Sequence, residues 1–104
     1  MTLIPTKVTF QGLDRSQAVE ERVHEHIAKL AQLFAPITRC DVVIEKPHRH
    51  HRHGSPYHVR IELAVPGHMI EVSQEPGTDA AHDDVYVAVR DSFLAARRQL
   101  ESMP

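Results

Sequence analysis

Tyr57-His58-Val59-Arg60-Ile61-Glu62-Leu63-Ala64-Val65, then Pro66-Gly67-His68, then Met69-Ile70-Glu71-Val72-Ser73-Gln74, is the stretch on which the fold turns. Tyr57, Val59, Ile61, Leu63 and Val65 alternate with His58, Arg60, Glu62 and Ala64. A strand with that period shows one set of side chains to a core and the other to water. Pro66-Gly67-His68 is a turn signal, so residues 69–74 pair back as a further strand with Ile70 and Val72 inward.

Working upstream, Cys40, Val42 and Ile44 alternate with Arg39, Asp41, Val43 and Glu45, which predicts a strand over 37–46 followed by a loop over 47–56. Val19, Val23, Ile27, Leu30 and Phe34 recur at spacings of four, four, three and four, one apolar stripe on a helix. Asp14 and Ser16 both can cap its start, and Pro36 stops it. Before it, Val8 and Phe10 alternate with Lys7 and Thr9, a short strand over 7–10 that Gly12 ends. Downstream, after Pro76-Gly77, Asp79 is expected to cap a last helix with Ala81, Val85, Ala88, Val89, Phe93, Ala96 and Leu100 on one face. Asp83 and Asp84 fall in its first turn and Arg97 and Arg98 near its end; capping and the helix dipole account for the carboxylates without a cation site.

The element order is β-α-β-β-β-α, and each strand has one apolar face. That predicts an α+β fold, a two-layer sandwich in which a four-stranded sheet carries both helices on one face, with the first two strands parallel and the rest hairpins. The 104 residues form one expected domain, 1–104. Cys40 has no partner for an internal disulfide and sits inward, where a thiol behaves as a small hydrophobe; a reducing cytoplasm suits it. The first residues lack a signal-peptide pattern, and no apolar run has the length of a membrane span, so no membrane contact is expected. No Gly-rich phosphate loop, nucleophile elbow or zinc-protease helix occurs, which argues against an enzyme, a cofactor or a small-molecule substrate.

Twelve Lys and Arg against fourteen Asp and Glu give a net charge of −2, and protonating all nine histidines would carry it to +7. The charge is segregated. Residues 46–60 hold Lys46, Arg49, Arg52 and Arg60 with no carboxylate, a charge of +4 that leaves −6 for the rest of the −2 total. Within that segment His48, His50, His51 and His53 stand close enough to chelate Zn, Ni or Cu, but no Cys pair or Glu-bearing helix supplies the frame of a metal site. The interleaved Arg49 and Arg52 instead suit a cationic finger reaching phosphates. On the helices, Arg90, Arg97 and Arg98, with Arg22, His26 and Lys29, can form a surface facing a polyanion, or pair locally as Arg97 would with Glu101.

Val8-Thr9-Phe10-Gln11-Gly12-Leu13-Asp14, Ala28-Lys29-Leu30, Tyr57-His58-Val59-Arg60-Ile61, Asp83-Asp84-Val85-Tyr86-Val87-Ala88-Val89-Arg90-Asp91 and Ala96-Arg97-Arg98-Gln99-Leu100 together resemble the hibernation promoting factor and ribosome-associated translation inhibitor family. Order and spacing along nearly the whole chain carry the resemblance, and Pro104 ends it like a short form of the family. It implies a domain like those that bind double-stranded RNA, lodged in the decoding channel of the small ribosomal subunit, excluding mRNA and tRNA and silencing translation in stationary phase or stress. The partners implied are the small subunit and its rRNA. Lys29 matches the family's first-helix lysine, and Tyr86, Arg98 and Gln99 match its second-helix pattern; Ala95 stands where relatives often carry lysine.

The residues expected to touch RNA are therefore Arg22, His26, Lys29, Arg49, Arg52, Arg60, Arg90, Arg97 and Arg98. Histidine involvement implies that binding weakens from about pH 6 to 8. Two other readings stand beside this one: a metal-binding module built on the histidine run, and a regulator that binds protein through an apolar patch containing Val43 and Ala64 on the open sheet face.

Overall fold

The computed structural model describes residues 4–34, 36–46, 57–74 and 84–103. The elements are β1 (Thr6–Gln11), α1 (Gln17–Leu33), β2 (Arg39–Glu45), β3 (His58–Val65), β4 (His68–Gln74) and α2 (Val85–Glu101). The sheet runs β1-β2-β3-β4, with β1 parallel to β2 and the two remaining pairs antiparallel. This is the α+β arrangement the alternation patterns predicted.

Register makes the two faces. Val8, Val42, Ile61 and Val72 lie in one row across the sheet, and Phe10, Ile44 and Val59 in the next. Val42, Ile44, Val59, Ile61 and Leu63 are wholly enclosed beneath the helices, as are Val23 of α1 and Val89 of α2. Burying each such side chain contributes about 1.5–3 kcal/mol. Cys40 belongs to the same layer, where burial, with the charge of Asp41 adding to it, pushes its thiol pKa up to about 12. It is an inert hydrophobe. Ser92, the buried polar residue, donates its hydroxyl to the Ala88 carbonyl at 2.9 Å.

The open face carries the complementary set. Lys7, Asp41, Glu62 and Glu71 form a row across all four strands, so Glu62 stands directly between two carboxylates. That row separates Val43, which is opposite Arg60, from Ala64, which is opposite Arg39 and Met69. The continuous apolar patch required for protein binding through Val43 and Ala64 is thus interrupted by charge.

Chain ends are set by local chemistry. Ser16, not Asp14, caps α1: its hydroxyl accepts from the Val19 N–H at 3.2 Å. Gly12 takes φ +76°, and a side chain there would meet the Lys46 carbonyl, while the Lys46 N–H donates to the Gln11 carbonyl at 2.8 Å. The described start of α2 is a correction to the expected cap. Asp84 is the N-cap, extended at φ −118°, and its carboxylate accepts from the Tyr86 N–H at 2.8 Å. Asp84 thus precedes the helix rather than sitting in its first turn, while Asp79, Ala81 and Asp83 lie outside the described residues. Near the other end of α2, the Gln99 side chain donates to the Glu71 carbonyl of the edge strand β4 at 3.1 Å. Among the described residues no helix is long and apolar enough to cross a membrane.

Candidate nucleic-acid interface

The two helices lie side by side and meet along two series with the same spacing. Arg22, His26, Lys29 and Leu33 follow one another at four, three and four on α1, as do Tyr86, Arg90, Phe93 and Arg97 on α2. At 3.6 residues per turn each series stays on one flank; Phe93 belongs to the buried stripe and the others lie beside it. The guanidinium carbon of Arg22 stands 5.4 Å from the Tyr86 ring centroid. One turn on, the His26 ring stacks on Phe93 with centroids 5.0 Å apart and planes 12° from parallel. Beyond that stack the helices part into a groove of about 200 Å³ lined by His26, Lys29, Leu30, Leu33, Arg90, Phe93, Leu94 and Arg97.

The groove is electropositive, and His26 reports it. Burial lowers its pKa below 6.5, and Lys29, Arg22 and Arg90 lower it further against the opposing influence of Glu25. At neutral pH the ring is an uncharged aromatic surface. The arginines are paired locally: Arg22 with Glu25 at 3.4 Å, Arg90 with Asp91 at 3.2 Å and Arg97 with Glu101 at 2.9 Å. These guanidinium groups are half exposed, and such surface pairs contribute only about 0–1 kcal/mol, so a phosphate can displace the carboxylate at little cost. Lys29 has no ion-pair partner among the described residues.

Five of the nine expected contacts, Arg22, His26, Lys29, Arg90 and Arg97, therefore share one surface. Arg98 follows Arg97 by about 100° around the helix and lines no part of the groove. Arg60 is exposed on the open sheet face, opposite Val43 and Ser73, with the sheet between it and the helices. Arg49, Arg52 and the histidines 48, 50, 51 and 53 lie outside the described residues. Among the described residues no three His, Cys, Asp or Glu side chains are placed to hold a metal ion. Sequence reasoning missed Leu33 and Leu94, the exposed apolar part of the groove. The available signal was that neither falls on the apolar stripe of its helix.

A second concavity, about 550 Å³ between β1 and α1, is lined by residues 6–10, Leu13, Arg15, Glu20 and His24. Its arginine is held in a two-pronged bond to Glu20, at 2.9 and 3.2 Å, which neutralises it.

Comparison with solved structures shows the same fold. The chain superposes on the Thermus thermophilus Protein Y N-terminal domain with a TM-score of 0.71 and 17% identity, covering 95% of this chain and 96% of that one. A ribosomal subunit interface protein from Coxiella burnetii gives a TM-score of 0.69 and 20% identity, covering 94% of each chain. No curated protein matches the chain. Residues 6–103 match the family model described as sigma 54 modulation protein / S30EA ribosomal protein, nearly the full length of both sheet and helices, and the chain belongs to that family.

Proposed function

We propose that the protein is a ribosome-associated translation inhibitor that lays its helical face on rRNA of the small subunit, in the decoding channel, and excludes mRNA and tRNA by occupying their place. The observation that carries this reading is the convergence of Arg22, Lys29, Arg90 and Arg97 around His26 on facing flanks of α1 and α2. Nucleic-acid affinity is dominated by phosphate contacts, and cations fixed on two packed helices hold a spacing that loops do not. Family membership and the name of one structural neighbour, a ribosomal subunit interface protein, support a ribosomal partner. Inhibition of this kind needs no bond-making step; occupancy is enough.

The opposite face supports an orientation. On the open face Lys7, Arg39 and Arg60 are balanced by Asp41, Glu45, Glu62 and Glu71, with Arg39 paired to Asp41 at 3.3 Å, so the sheet offers phosphate no excess of cations, and the overall charge of −2 does not prevent approach by the helices. Arg49 and Arg52 extend the cationic inventory of the chain. Gradient cosedimentation with small subunits, repeated as salt is raised, tests the proposal: binding is expected at low salt and is lost steeply with salt. Absence of the protein from the ribosomal fractions at the lowest salt would overturn it.

A further inference from the structure

Phosphate binding explains the rim of the α1–α2 groove but not its lining. Leu33 and Leu94 are 56% and 46% exposed, two of the three large hydrophobic side chains left in water among the described residues. The third, Met69, is on β4 and belongs to another surface. Leu33 comes from the α1 wall and Leu94 from the α2 wall, with Leu30 and Phe93 between them and deeper, since both of those are buried. His26, Lys29, Arg90 and Arg97 complete the lining.

A slot with aliphatic walls and a cationic rim fits a flat apolar body flanked by negative charge. Nucleobases have that form when unpaired, and proteins that take single strands hold each base against apolar or aromatic surfaces while cations follow the backbone. An acidic amphipathic helix would also match the charge, but it lays anchors from several turns along a long groove, whereas this one spans residues 26–33 of α1 and 90–97 of α2, about two turns of each. We propose that the groove takes a single unpaired nucleobase between Leu33 and Leu94, with the flanking phosphates on Lys29, Arg90 and Arg97. The proposal rests on the rRNA-binding reading above and adds to it a preference for a bulged or single-stranded nucleotide.

The test uses the full chain, a fluorescently labelled ten-nucleotide single-stranded RNA, a perfect duplex of equal length, and the single strand carrying one abasic position. Two double variants are compared with the parent: Leu33→Gln with Leu94→Gln, and Arg90→Ala with Arg97→Ala. Exposed leucines replaced by another helix former leave the fold intact, checked by an unchanged denaturation midpoint. The leucine variant is expected to lose on the order of tenfold in single-strand affinity with no change in salt slope and none in duplex affinity. The arginine variant is expected to weaken both RNAs and to lower the slope by about two. The abasic substitution should weaken the parent and leave the leucine variant unaffected. Single-strand affinity unchanged in the leucine variant would overturn the proposal, while the arginine result would leave rRNA binding standing. With an acidic amphipathic helical peptide as a fourth probe, peptide binding that the leucine variant loses while it keeps single-strand affinity would overturn the proposal in favour of a protein occupant. No RNA binding by the parent would sink the underlying reading itself.

Discussion

His26 of α1 lies flat on Phe93 of α2, with centroids 5.0 Å apart, and three cations surround the same imidazole. Because burial and those cations lower its folded pKa, the unfolded chain binds this proton more readily than the folded one. The stability it contributes is present above about pH 6.5 and is lost as pH falls through the folded pKa. His26→Gln should therefore unfold with a smaller drop in urea midpoint between pH 7.5 and 5 than the parent shows. An identical acid sensitivity would remove His26 from the account. The same shift favours the uncharged ring, and comparing the parent with His26→Gln shows whether this imidazole takes part in any weakening of RNA binding from pH 6 to 8.

Arg90 and Arg97 share a groove that Arg60 faces away from. Plots of ribosome affinity against salt should lose about two in slope in the Arg90→Ala, Arg97→Ala double variant and less than one in Arg60→Ala. Equal losses from both would mean that RNA reaches the sheet as well as the helices.

Carboxylates compete with phosphate for these side chains. Glu101→Gln releases Arg97 from its bond at 2.9 Å, and Glu25→Gln releases Arg22 from its pair at 3.4 Å. Each should tighten RNA binding several-fold while changing folding stability by no more than about 0.5 kcal/mol, as expected for exposed helix pairs. Titration by fluorescence anisotropy alongside urea melts separates the two effects; weaker binding would mean that the carboxylates orient the arginines rather than compete for them.

Gly12 and Gly67 both hold positive φ, at +76° and +79°, yet differ in surroundings. An alanine Cβ at Gly12 would meet the Lys46 carbonyl, whereas at Gly67 it meets nothing within 4 Å. Gly67→Ala should cost about 1–2 kcal/mol from backbone conformation alone. Gly12→Ala should cost clearly more, and chemical denaturation of the two variants reads the difference as the steric part. Equal costs would show that the β1–β2 junction yields.

The strands were legible because each is half-buried: Val59, Ile61 and Leu63 need to face one way and Arg60 and Glu62 the other, and a period of two records that demand. The cap of α2 was less legible. Asp79, Asp83 and Asp84 all suit an N-cap by type, and sequence does not say which one turns extended. The interface was half legible. Cations at helical spacing showed Arg90 and Arg97 on one flank, but nothing in a single helix reveals that its flank faces Lys29 of another. Nor does local pattern separate Arg60 from that set, since charge in sequence carries no sign of which sheet face it takes.

The bond from the Gln99 side chain to the Glu71 carbonyl bears on what the protein avoids. A sheet grows into a filament only if strands can be added at both ends. With that carbonyl already occupied on β4, a docking strand there would have to break an existing bond before making its own. At that position the edge strand is less open to a second copy, because the chain's own last helix already holds the carbonyl.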